Sequence, residues 1–292
     1  MAIGDAAINA STAARKEYKY LWDAEVKVFS QNGEDGILNY ICDVLDMGKP
    51  SVIEIGAGNF QECNTRYLAE HRSANVLAVD SRPDLQTTIE LLPVSLKTNV
   101  LYQTCWVTTK NINQIIGKAK NLFGEVDILS LDIDGNDYWV LKEANLIGIK
   151  VIVVEFNPLL SRTLPVSVPR NEAFDRTTEH FSWLYYGANL QAFMYLLGER
   201  GFSFIGTSRH GSNAFFVAQE LENNFALNFK ELALYTDVRS RESRGKTGEL
   251  TFVSGQDRVK LIEEMQVINV LNGEILQILE CWKDNGSMES RD

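Results

Sequence analysis

Ser51-Val52-Ile53-Glu54-Ile55-Gly56-Ala57-Gly58-Asn59 decides the fold. A short β-branched run carries one acid, Glu54, and breaks off at two glycines. A buried parallel strand that must release its chain into a tight turn reads this way. Glycine opens backbone torsions closed to other residues and lets a ligand approach the main chain. About twenty residues on, Val76-Leu77-Ala78-Val79 ends in Asp80 and Ser81, where doubly wound folds hold a nucleotide ribose through a carboxylate. A dinucleotide fingerprint would place its third glycine at position 61, which is Gln61. Without that glycine, and with the added acid Glu54, S-adenosylmethionine is the better fit.

Outward from this stretch, apolar runs alternate with amphipathic ones. Strands are expected at Val52–Ile55, up to Asp80, near Val100–Trp106, and at Val126–Leu131, Val151–Glu155, Phe202–Thr207 and Asn213–Ala218. Helices fall between them, and the last two strands flank a turn at His210-Gly211. The pattern predicts an α/β fold: a doubly wound, Rossmann-like sheet of seven strands with the last antiparallel, N-terminal helices and a small C-terminal appendix. Residues 1–50 read as a helical segment packed on the core, 51–220 as the cofactor-binding core, and 221–292 as a cap with a disordered end. Residues 1 to about 27 read as a mobile start followed by a helix. In Ser30-Gln31-Asn32-Gly33-Glu34-Asp35-Gly36, Asn32 is expected to cap the next helix with Asp35 in the capping-box position. The stretch 157–184 carries three prolines and leaves the carboxyl end of a strand, which suits a substrate lid. Asn272-Gly273 marks a hairpin in the appendix.

Composition narrows the function. With 28 Lys and Arg against 39 Asp and Glu, the net charge is −11, a field that repels nucleic-acid phosphates and anionic lipid. Neither is expected as a partner; a small-molecule acceptor is, and a homo-oligomer stays open. Four dispersed cysteines form no C-x-x-C pair, which argues against a zinc ribbon or a disulfide framework. The first residues hold no apolar core for a signal peptide, and no apolar run approaches a membrane span, so a reducing, cytoplasmic setting is expected.

The densest chemistry lies in Asp127–Trp139, where Asp132, Asp134 and Asp137 crowd the end of the fourth strand. Like charges this close raise one another's pKa unless a cation or donors compensate them. The adjacent strand ends in Glu155-Phe156-Asn157, so Asp132, Glu155 and Asn157 form a candidate oxygen site for Mg²⁺ or Ca²⁺. The competing reading leaves Asp137 as a helix cap and Asp134 on a turn amide. Asp132, His180 and His210 are the candidate catalytic residues, with either histidine or one of the aspartates as general base, and His71 reads as a helix C-terminal cap.

Taken together, Phe29–Gly36, Ile53–Gly58, Glu62–Thr65, Ser130–Trp139, Val154–Pro158, Tyr186–Ala188 and Asn213–Val217 resemble the FkbM-like methyltransferases, a branch of the class I S-adenosylmethionine-dependent enzymes. The resemblance covers residues 28–220. It implies O-methylation of a hydroxyl on a sugar, glycoside or secondary metabolite. It also implies cofactor contacts at Gln31, Glu34, Glu54, Gly56, Gly58, Asn64, Asp80 and Ser81, with Asp132 beside the transferring methyl as cofactor contact or metal ligand.

Two other classes compete. Asp132-Ile133-Asp134-Gly135 looks like the start of a haloacid-dehalogenase-type phosphatase, but Asn136 stands where those enzymes carry threonine or serine. A non-catalytic cofactor-binding module is the other alternative.

Overall fold

The computed structural model describes residues 18–96, 98–225 and 243–283, together with Ala6 and Ile8. Most of the expected N-terminal helix, the polar stretch Arg239–Glu242 and the expected disordered end 285–292 lie outside the described residues.

Helix α1 (Glu34–Val44) leads into β1 (Ser51–Ile55), α2 (Arg66–Arg72), β2 (Asn75–Asp80), α3 (Leu85–Leu91), β3 (Val100–Thr104) and α4 (Ile112–Phe123). There follow β4 (Ile128–Leu131), α5 (Asp137–Glu143), β5 (Val151–Glu155), the short β6 (Val166–Ser167), α6 (Arg176–Glu179), α7 (Leu190–Gly198), β7 (Phe202–Thr207) and β8 (Asn213–Ala218). The main sheet has the order β3-β2-β1-β4-β5-β8-β7. Its first five strands run parallel, and β8 lies antiparallel to both β5 and β7. This is the expected seven-stranded, doubly wound sheet with its last strand antiparallel.

The apolar runs of the sequence explain why both faces are covered. Ile53, Ile55, Leu77, Val79, Leu129 and Leu131 point to one face, against Ile115, Ile116, Val140 and Phe193. Their neighbours Val52, Val76, Ala78 and Ile128 point to the other, against Ile37, Leu38, Ile41 and Leu68. A strand period of two sends alternate residues to opposite faces, so only a continuous apolar run can bury both.

The start of α1 departs from expectation. Its N-cap is Gly33 at φ +103°, and no side chain caps it. Asn32 instead donates to the Ser212 hydroxyl, while Oδ2 of Asp35 accepts from the amides of Val28, Phe29 and Ser30 and from the Ser30 hydroxyl. The reason is packing: a Cβ on Gly36 would stand 2.1 Å from the Ala24 carbonyl oxygen. The helix start is wedged against the 3₁₀ turn Leu21–Ala24, and Asp35 serves that loop rather than the helix end.

Beyond β8 come α8 (Gln256–Ile262), β9 (Gln266–Asn269), β10 (Ile275–Gln277) and α9 (Ile278–Lys283). The expected Asn272-Gly273 turn joins β9 to β10, with Gly273 at φ +78°. These strands complete a second sheet of order β10-β9-β6, whose third strand comes from the 157–184 segment. One apolar cluster unites Leu160, Val166 and Leu184 with Ile262, Val267 and Ile278. The Trp282 indole donates to the Leu159 carbonyl at 3.0 Å. The segment expected as a lid is therefore braced by the C-terminal elements.

Candidate functional site

The carboxyl ends of β1, β2 and β4 open into a cavity of about 490 Å³. Gly56, Gly58, Asp80, Ser81 and Asp132 line it from the sheet, and Phe174, Asp175, Arg176, Thr177 and Trp183 from the 157–184 segment. Gly56 adopts φ +83°, and a Cβ there would lie 1.5 Å from the Asp132 carbonyl oxygen, so the β1 turn lies directly on the β4 tip. Gly58, at φ +57°, donates its amide to Asp80 Oδ2 at 2.8 Å, and the Arg82 amide donates to Oδ1 at 2.8 Å. Burial raises the Asp80 carboxyl above its ordinary value, and these amide donors oppose the shift. The carboxylate is thus fixed at the cavity wall with lone pairs left over for a diol.

Several expected cofactor contacts stand away from this cavity. Glu54 lies beneath it, buried, with Oε1 accepting from the Asn64 amide at 3.1 Å. Burial pushes its pKa up to about 7, against hydrogen bonds from Thr65, Asn64 and Ser130. Asn64 donates to the Ser130 hydroxyl at 3.3 Å, completing a polar core under the glycine turn. Glu34 is buried and committed on both oxygens, to Asn213 Nδ2 at 2.8 Å and to the Asn32 amide at 2.9 Å. Gln31 is exposed on the same loop.

The acidic group is a cluster of three, and Asn157 is not among them. Asp132, Asp134 and Glu155 each offer a ligand atom, and these lie within 4.8 Å of one another. The Asn157 amide is spent elsewhere: it donates to the carbonyls of Leu184 and Tyr186 at 2.9 and 3.0 Å and accepts from the Leu159 amide at 3.0 Å. Asp137 braces the turn, accepting from the amides of Ile133 and Gly135, and burial pushes its pKa up to about 6. Asp132 and Glu155 are held well above the usual carboxylate range, first by burial and then by neighbouring carboxylates, chiefly Asp134 for Asp132 and Asp132 for Glu155.

Arg176, unforeseen from the sequence, supplies the opposing charge. Its guanidinium pairs with Asp134, lies 3.9 Å over the Tyr186 ring, and donates from Nε to the Trp183 carbonyl. The Tyr186 hydroxyl in turn donates to Glu155 Oε1 at 3.3 Å. The available signal was indirect: an acidic cluster at a strand end calls for a cation, and the 157–184 segment holds three arginines, Arg162, Arg170 and Arg176. Trp183 takes φ +61°, a conformation uncommon for a bulky side chain. His180 faces Ser182, its Nδ1 2.7 Å from the hydroxyl, and His210 sits in the β7–β8 turn; neither lines the cavity. His71 stacks on Tyr67 in the last turn of α2.

The donors suit two ligands. A glycine turn with a fixed carboxylate on the next strand suits an adenosyl group. Three clustered carboxylates, with Glu155 Oε2 buried and lacking a hydrogen-bond partner among the described residues, suit a hard divalent cation.

The strand order, with β8 antiparallel between β5 and β7, is that of a doubly wound, Rossmann-like sheet. Among solved structures, the chain is 18% identical to a methyltransferase from Geobacter sulfurreducens, covering 73% of this chain and 86% of that one, with a TM-score of 0.36. It is 16% identical to cofactor-bound Rv0187 from MTB, covering 73% and 89%, with a TM-score of 0.38. To TnmH it is 12% identical over 63% of this chain, with a TM-score of 0.35. The chain spans 56% of the length of TnmH and of the pyocyanin biosynthetic protein PhzM. No family model and no curated protein matches the sequence. No helix of the described residues is long and apolar enough to cross a membrane.

Proposed function

We propose that the protein is an S-adenosylmethionine-dependent methyltransferase acting on a hydroxyl of a small molecule, in the class of sugars, glycosides and secondary metabolites. One observation carries this reading: the Gly58 amide and Asp80 carboxylate join at the wall of a cavity that also reaches Asp132 and the aromatic and charged residues of the 157–184 segment. Asp80 and Ser81 would hold the ribose hydroxyls, and the open backbone at Gly56 and Gly58 would admit the cofactor's close approach. The bound sulfonium supplies an activated methyl group.

The chain's own part is to align the acceptor oxygen and take up its proton. Without a bound cation, Asp132 is a carboxylate on the cavity wall suited to that role, its basicity raised by burial and by Asp134. His180 and His210 are set aside as bases because neither reaches this wall. A divalent cation such as Mg²⁺ would be held by Asp132, Asp134 and Glu155, and would supply Lewis acidity that lowers the pKa of the acceptor hydroxyl. Trp106 and Trp183 offer apolar faces that exclude water from the acceptor.

The test is calorimetric titration of the full chain with S-adenosylhomocysteine, repeated with Mg²⁺ and with a chelator. Micromolar binding supports the reading, and a gain with Mg²⁺ supports the cation. An absence of binding under every condition overturns it.

A further inference from the structure

The left-handed backbone of Trp183 is a strain that persists only where the surroundings hold it, most often at ligand sites. Several bonds hold it here. Its amide donates to the His180 carbonyl at 3.1 Å, and its own carbonyl accepts from Nε of Arg176, the guanidinium that pairs with Asp134. The Arg244 amide donates to the neighbouring Ser182 carbonyl at 3.1 Å, and the Arg244 guanidinium lies 4.5 Å over the Trp183 ring. The backbone polar groups of Trp183 are thus spent within the protein, so its contribution to the cavity wall is chiefly the indole. Arg244 does not line the cavity, so the ring face that it covers is turned away from it.

The indole N–H is unspent. Trp106, Trp139 and Trp282 each donate theirs to a main-chain carbonyl, of Glu172, Val168 and Leu159 respectively. That of Trp183 meets no acceptor among the described residues, yet its nitrogen is not a buried orphan, so it stays open to a ligand. The order of the strand tips, β3-β2-β1-β4, sets where that ligand lies. Trp106 follows β3, on the far side of Asp80 from β4. Trp183 is tied through Arg176 to Asp134, which follows β4. With the ribose at Asp80 and the acceptor's proton taken at Asp132, Trp183 stands on the acceptor side of the row.

We infer that Trp183 is a specificity-determining residue: the acceptor is a ring compound that lays one face on the indole and sets an oxygen on its N–H. An aromatic side chain offers a large apolar face with a polar handle, and one already fixed in place loses little freedom when a ligand stacks on it. A sugar ring and a phenolic ring both present such a face, whereas an open-chain polyol with the same hydroxyls does not. The inference deepens the proposed function and rests on it: Asp80 and Ser81 would hold the cofactor, while Trp183 would sort acceptors by shape. Arg176 would serve as its positioning residue.

The experiment uses the full chain saturated with S-adenosylhomocysteine, titrated with methyl β-glucoside, phenol and sorbitol, and read by calorimetry and by saturation-transfer NMR of the probe. At least one ring should bind while sorbitol does not, and the tighter ring tells a sugar from a phenolic acceptor. Trp183→Gly, which suits the left-handed backbone, should weaken that ring by about ten-fold or more and leave S-adenosylhomocysteine affinity unchanged. Trp183→Phe, which keeps a ring face and loses the N–H, should weaken it less. Trp183→Asn, also tolerant of positive φ, serves if the glycine variant fails to fold. No ring binding to a wild type that binds S-adenosylhomocysteine overturns the inference and spares the methyltransferase reading. Sorbitol binding as tight as the ring's, or equal ring affinity in Trp183→Gly, does the same. Failure of S-adenosylhomocysteine itself to bind overturns the methyltransferase reading, and the acceptor reading with it.

Discussion

The Gly58 amide donates to Asp80 Oδ2 at 2.8 Å and ties the tip of β1 to the tip of β2. This bond fixes the carboxylate proposed to meet the ribose. Asp80→Ala removes both that bond and the diol acceptor. A hydrogen bond to a charged group contributes about 1.5–3 kcal/mol, so S-adenosylhomocysteine affinity should fall by about ten- to hundred-fold. Calorimetry on a variant with unchanged circular dichroism checks this. Wild-type affinity would detach Asp80 from the cofactor.

Glu54 predicts a pH dependence of stability. Its carboxyl titrates near 4.5 in an unfolded chain and near 7 when buried under the glycine turn. Below pH 4.5 it is protonated in both states, and its contribution is fully present. As pH rises from 4.5 to about 7, the unfolded chain releases the proton and the folded one retains it, so stability falls. The loss amounts to about 3 kcal/mol above pH 7. Glu54→Gln should remove that slope, gaining on the wild type between pH 5 and pH 8 in urea denaturation. Parallel curves for the two proteins would contradict the shift.

Much of this was legible in the sequence, and the rest had physical reasons to stay hidden. Val52, Ile53 and Ile55 announced a strand buried on both faces, and Gly56, Gly58 and Asp80 announced the tight turn and fixed acid at its carboxyl end, because these features depend on neighbours a few residues away. Long-range pairings left no local mark. Glu34 meets Asn213 across 179 residues, and Arg176 meets Asp134 across 42. Asn32 satisfied the capping pattern, yet Gly33 took the position because Gly36 had to pack on Ala24. Asn157 lay at the right strand end for a ligand, but its amide was drawn into holding the chain at Leu184 and Tyr186.

Asn157→Ala should accordingly cost stability rather than cofactor binding. Two buried carbonyls and one amide would lose their partner, each worth about 1–3 kcal/mol. Chemical denaturation should show a loss of about 3 kcal/mol or more, with S-adenosylhomocysteine affinity within two-fold, roughly, of wild type. An intact stability with lost Mg²⁺ binding would restore Asn157 as a ligand.

Arg176 pairs with Asp134, so a cation at the proposed site would have to compete with it. Removing the guanidinium in Arg176→Ala should tighten Mn²⁺ binding at least ten-fold, roughly 1.4 kcal/mol, measured by paramagnetic resonance of the free ion. Equal affinities in variant and wild type would mean that the carboxylates do not share their occupant with Arg176.

The pairing of β6 with the distant β9 in one small sheet bears on how acceptor preference could be re-engineered. A chimaera that transplants only residues 157–184 onto another core would carry an orphan strand edge at Val166-Ser167 and the bare faces of Leu160 and Leu184. Gln256–Lys283 normally covers both. Selectivity should therefore be inherited as a two-piece cassette, and libraries that diversify one piece without the other should yield insoluble protein more often than altered specificity.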